Sequence, residues 1–133
     1  MKQARAVSVI LLYDDNKRIL LQHRDENIII LPGHWSFFGG AIDNGESPEN
    51  TVKREIKEEL EYDLTDPKLI MTQKFNTEIY DITRYVYVEK YNPRHQLVLR
   101  EGQSMDWYNF SDVAKLKVDK FDIEVIKIAE EKI

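Results

Sequence analysis

A mixed β-sheet flanked by helices is the fold class this sequence predicts. Three features predict it: apolar, β-branched runs bounded by turn residues, a helical segment with an apolar residue at every fourth position, and an order of strands, helix, strands, helix. A regular strand–helix alternation would instead predict a parallel, doubly wound sheet.

The elements follow in order. Ala6 to Tyr13 is rich in Val, Ile and Leu and reads as a buried strand. Asp14-Asp15-Asn16-Lys17 is a turn, and Arg18 to His23 is the returning strand of a hairpin. Ile28 to Leu31 precedes a Pro32-Gly33 turn, and Trp35 to Phe38 is a short aromatic strand running into Gly39-Gly40. Ser47 is a good N-cap, and Pro48 fits the first position of a helix whose buried stripe is Val52, Ile56 and Leu60. Lys68 to Thr77, Thr83 to Lys90, Gln96 to Arg100 and Ser104 to Phe110 read as further strands. Ile123 to Ile133 reads as a second helix.

The 133 residues fit one domain, 1–133, with one core, and a 42% hydrophobic content suffices to fold it without staples. Cysteine is absent, which excludes disulfides, thiolate zinc sites and a cysteine nucleophile and suits a reducing cytoplasm. The net charge of −5, with positive residues scattered among acids, argues against a nucleic-acid polymer as partner. The apolar run Ala6–Tyr13 is too short for a membrane span and lacks a signal-peptide cleavage region. A cytoplasmic protein, monomeric or homodimeric, acting on a small molecule is expected.

The chemistry concentrates in KREIKEELEY, residues 53–62. On a helix Glu55, Glu58 and Glu59 stand at i, i+3 and i+4 and share one face beside the apolar stripe. Each like-charged i,i+4 pair there costs about 0.2–0.5 kcal/mol, and a divalent cation would turn the repulsion into coordination. An acidic helix alone is usually a solvated face, here with Lys53 and Lys57 as partners. Two features weigh against that: Gly39-Gly40 permits close backbone approach, and a Gly-containing loop carrying Glu46 feeds the helix N-terminus.

Gly40, Glu46, Arg54, Glu55, Ile56, Glu58 and Glu59, at these spacings, resemble the Nudix box. The preceding WSFFGG and the later REGQSMDWYNF resemble small nucleoside-triphosphate-cleaving members of the MutT type. The chain departs from the family pattern at Glu61, where the family has glycine, at Tyr62 in place of an aliphatic residue, and at Phe38, where proline is frequent. The Glu61 change costs about 1 kcal/mol if that residue takes the left-handed conformation usual at helix ends. It removes no ligand.

The resemblance implies a Nudix α/β/α sandwich with a loop–helix–loop box. It implies that Glu55, Glu58, Glu59 and the carbonyl of Gly39 hold Mg²⁺ or Mn²⁺, with Glu101 as a further ligand or base. Arg54 would orient the carboxylates, with Glu46 as its partner, and Glu58 or Glu101 would accept a proton from water. Arg24, Phe37 and Tyr80 are the candidate substrate contacts, the aromatics by stacking on a base. Trp35 and Trp107 read as core or cleft wall. His23, His34 and His95 show no ligand spacing. The expected reaction is Mg²⁺-dependent hydrolysis of a nucleoside triphosphate, oxidised nucleotides included, to monophosphate and pyrophosphate. Dinucleoside polyphosphates, nucleotide sugars and ADP-ribose are the enzymatic alternatives, the last disfavoured because no proline lies between Pro67 and Pro93. The alternative of another class is a non-catalytic nucleotide sensor. Such proteins commonly lose box glutamates, whereas this chain keeps them all.

Overall fold

The computed structural model describes residues 2–133. Its elements in chain order are β1 (Gln3–Tyr13), β2 (Ile19–His23), β3 (Trp35–Ser36), β4 (Phe38–Ala41), α1 (Pro48–Leu60), β5 (Lys68–Asn76), β6 (Tyr80–Lys90), β7 (Ser104–Tyr108), α2 (Phe110–Val113) and α3 (Lys120–Lys132). The seven strands form one mixed sheet with the path β3-β2-β1-β6-β5, to which β4 adds on β1 and β7 on β2. Among the described residues only β1 and β6 pair in parallel, in register from Gln3–Tyr80 to Tyr13–Lys90. The other pairings are antiparallel.

Strand alternation divides the apolar residues between the two faces. Val9 and Leu11 of β1 join Ile19, Leu21, Val86, Val125 and Ala129 in the core beneath α3. Ile10 and Leu12 join Leu20, Phe38, Val52, Ile56 and Leu60 beneath α1. The sheet is thus covered by a helix on each side, an α/β/α sandwich. No helix among the described residues is long and apolar enough to cross a membrane.

One irregularity makes room for the site. β2 meets β1 at the Tyr13–Ile19 pair, and β4 takes the position beside β1 from Val7–Ala41 to Ile10–Phe38. The box loop therefore leaves from the middle of the sheet and enters α1 directly above it.

Four expectations need correction. β1 and β6 start three residues earlier than their apolar runs, because parallel pairing extends the ladder into polar sequence. The aromatic strand Trp35 to Phe38 is broken, with Trp35–Ser36 pairing to β2 and Phe38 to β1. Gln96–Arg100 is not a strand; the amides of Val98 and Arg100 donate to the carbonyls of Leu60 and Glu59 at 2.9 and 2.8 Å. Those carbonyls, at the end of α1, have no intrahelical partner to compete for them. The short helix α2 carries no apolar period from which to read it.

Candidate active site

The loop after β4 and the first turn of α1 form a closed hydrogen-bond system. Ser47 caps the helix, its side chain accepting from the Asn50 amide at 3.1 Å. Glu46 Oε1 accepts from the Asp43 amide at 3.2 Å and from the Thr51 hydroxyl at 2.8 Å. Both Glu46 oxygens also accept from Arg54, Oε2 from Nε at 2.7 Å and Oε1 from Nη2 at 3.1 Å. That forked contact, helped by Thr51, holds the Glu46 carboxyl down at about 2. Arg54, its own pKa pushed up by Glu46, then reaches Glu55 Oε1 at 3.1 Å and Glu58 Oε1 at 3.3 Å through Nη1. One guanidinium thus ties the loop to two helical carboxylates.

One glycine lets β4 approach the helix, and a second lets it lie close on β1. A Cβ on Gly40 would lie 2.4 Å from Cδ of Glu55, in the space the Glu55 carboxylate fills. Gly39 has φ +149, and a Cβ there would meet the Ser8 carbonyl at 2.1 Å.

Glu59 points inward. It is 2% exposed, its Oε1 accepts from the Gly39 amide at 3.3 Å, and its Oε2 is buried without a hydrogen-bond partner. Burial raises its carboxyl to about 9, with the neighbouring Glu55 and the charge of Glu101 acting in the same direction and the Gly39 amide opposing. Glu101 itself is exposed, on the loop that follows the Arg100–Glu59 backbone contact.

These residues suit a hard divalent cation: the donors are all oxygens, and one buried carboxylate oxygen is unpaired where an ion would satisfy it. The carboxylates do not form a ready cage. Among the described residues no three His, Asp or Glu side chains converge as a metal site. Arg54 holds Glu55 and Glu58 while Glu59 turns to Gly39, so coordination requires rotation of exposed Glu58 and half-buried Glu55.

The NUDIX domain family profile matches residues 2–127. The chain belongs to the Nudix family. Dihydroneopterin triphosphate diphosphatase of Escherichia coli (strain K12) is 30% identical over 90 residues, which cover 65% of this chain and 57% of that protein. Nucleoside triphosphatase NudI of Escherichia coli O139:H28 (strain E24377A / ETEC) is 34% identical over 56 residues, 42% of this chain and 39% of that one. The matched stretches thus span less than two thirds of these relatives. The crystal structure of a MutT protein from Methanosarcina mazei Go1 superimposes with a TM-score of 0.84 at 18% identity, covering 98% of this chain and 96% of that one. The Nudix fold is shared at that level.

Within this Nudix chain, Glu46, Arg54, Glu55, Glu58, Glu59, Gly39 and Glu101 gather around the start of β4 and the outer half of α1. Two of the three substrate-contact candidates, Phe37 and Tyr80, do not join them. Phe37 is 5% exposed and lies in the core beneath α3, because it alternates to the sheet face opposite Phe38. Tyr80 pairs with Gln3, six residues along β1 from the Val9–Gly39 pair and so about 20 Å away. Its ring packs under Arg5 instead. Arg24 lies at the end of β2, its Nε donating to the Ile30 carbonyl at 3.1 Å. Trp35 stacks on His23, meets Tyr108 edge-on and packs against the core beneath α3.

Two features escaped the sequence reading. Thr51 orients Glu46, and a buried threonine in a first helical turn, five residues after an acid, is a signal that could have been used. Arg84, a charge inside the apolar run of β6, donates to Asp122 Oδ1 at 2.6 Å and to Gln73 Oε1 at 2.6 and 3.0 Å. Burial pushes the Asp122 carboxyl up while Arg84 pulls it back.

Proposed function

We propose that this chain hydrolyses a phosphoanhydride bond of a nucleoside triphosphate, giving nucleoside monophosphate and pyrophosphate, with Mg²⁺ or Mn²⁺ as cofactor. The observation that carries the reading is Glu59, a buried carboxylate with one unpaired oxygen, set between Gly39 of β4 and a helical face that bears Glu55 and Glu58. The names of the two relatives, a triphosphate diphosphatase and a nucleoside triphosphatase, support a triphosphate substrate. Oxidised nucleotides are included among the candidates.

Glu55, Glu58, Glu59 and the Gly39 carbonyl would hold the ion, with Glu101 as a further ligand or base. Bound there, a divalent cation neutralises phosphate charge and lowers the pKa of water. The protein's own part is positioning, which is most of what phosphoryl chemistry asks of it. Glu46 and Thr51 fix Arg54, and Arg54 presents Glu55 and Glu58. A proton from water goes to an exposed carboxylate, Glu58 or Glu101, both open to solvent. Of the three candidate substrate contacts, the reading keeps Arg24, because Phe37 is enclosed and Tyr80 is remote. Residues 1–133 would act as one unit.

The test is a hydrolysis screen over nucleoside triphosphates, an ADP-sugar and a dinucleoside polyphosphate, with and without Mg²⁺, with products identified. Glu58→Gln is expected to lower kcat by about 10²-fold. Turnover in excess chelator would overturn the metal dependence. Orthophosphate as product, or about tenfold better cleavage of the sugar or dinucleotide, would overturn the substrate.

A further inference from the structure

Helix α1 ends on a residue that ought to be glycine. Glu61 sits at φ 53 and ψ 36, the left-handed region, where any Cβ is strained. Its carboxylate is not idle there: Oε2 receives both Nε and Nη2 of Arg100, 39 residues on. The backbone around Arg100 is bound to the same helix end. The Val98 amide donates to Leu60 O at 2.9 Å and the Arg100 amide to Glu59 O at 2.8 Å, filling carbonyls that the helix leaves open. The next residue is Glu101. No hydrogen bond or ion pair holds its side chain among the described residues, and beyond it Gly102 at φ 85 turns the chain so that the Gln103 amide reaches His23 O at 2.9 Å. The position of Glu101 therefore depends on the anchors either side of it: the Val98 and Arg100 amides on α1, to which the Glu61–Arg100 pair adds a side-chain tie, and Gln103, whose amide reaches His23 O and whose Nε2 donates to Arg24 O at 2.8 Å.

We propose that the Glu61–Arg100 pair is a positioning device that straps the segment before Glu101 to the end of the catalytic helix. The left-handed glutamate is then tolerated in place of glycine because its side chain supplies the strap. This rests on the reading above that Glu101 takes part in the metal site. Glu61 and Arg100 touch neither substrate nor ion; they act through Glu101. Both side chains are largely exposed, so the pair adds little to global stability, and its effect is local.

Four measurements on the full chain test the strap: kcat, the half-saturating Mn²⁺ concentration, Tm, and hydrogen exchange at the Val98 and Arg100 amides. Glu61→Gly should keep or raise Tm, because a strained left-handed residue becomes glycine. The same variant should lower kcat about threefold to fivefold, raise the Mn²⁺ requirement and speed exchange at both amides. Arg100→Gln should do the same to kcat, and the double variant should be no worse than either single one. Glu101→Gln serves as the reference and should cost at least as much. An impaired Glu101→Gln beside fully active Glu61→Gly and Arg100→Gln would overturn the strap alone. A fully active Glu101→Gln would overturn the reading of Glu101 and the strap with it. Additive losses in the double variant would show two separate effects and also overturn it.

Discussion

A glutamate at 2% exposure is costly to ionise, and Glu59 has only the Gly39 amide to offset that cost. Its folded pKa of about 9 lies above the ordinary 4.5, so the stability it contributes is complete below pH 4.5 and is lost as pH rises through 9. In chelator, Tm should therefore fall progressively across that window. Glu59→Gln should flatten the profile, lower kcat by about 10²-fold and abolish any gain in Tm on adding Mg²⁺. An equally steep profile in the variant would show that another group is responsible. Glu46 has the opposite sign. Its pKa of about 2 lies below 4.5, so the Arg54 contact stabilises above pH 4.5 and is lost as pH falls towards 2. Glu46→Gln frees Arg54 and should cut kcat about tenfold, as loss of a supporting partner does, and should lower Tm at neutral pH but not near pH 2, where the contact is already lost. Comparing the kcat and Tm changes separates misplacement of Arg54 from unfolding.

At the scale of elements, α1 must be both a core helix and the carrier of the clustered carboxylates. Val52, Ile56 and Leu60, all fully buried, fix its rotation, and that rotation decides that Glu59 enters the protein while Glu58 faces solvent. Ile56→Ala should cost about 2–5 kcal/mol. In urea unfolding the midpoint should drop with an unchanged slope. A loss under 1 kcal/mol would mean that the helix repacks about another residue. The helix was legible in the sequence because its cap, proline and fourfold spacing are local signals. The segment Gln96–Arg100 was not. Its short apolar run, Leu97 to Leu99, is that of a strand, but its amides bond to the end of α1, a partner about 40 residues away that no local pattern encodes.

Across the whole molecule, Arg84 of β6 and Asp122 of α3 join the sheet to its second helix through a buried ion pair completed by Gln73. Asp122→Ala should lower stability by about 3–5 kcal/mol, since it strands a buried guanidinium. Replacing both charges with apolar residues should lose much less in the same thermal scan, and equal losses would refute the account. The sequence by itself determined the sandwich class, the order of the main strands and helices, and the charged positions of the box. Each of these rests on periodicity or spacing within a few turns of chain. Only the tertiary structure decided which carboxylate is buried, that Phe37 faces the core beneath α3, that Tyr80 lies far along the sheet from Gly39, and that Glu101 hangs from the end of α1. Those facts depend on strand register, on the face to which each side chain alternates and on contacts between distant segments, and a one-residue shift would turn Phe37 to the other face without altering any local pattern.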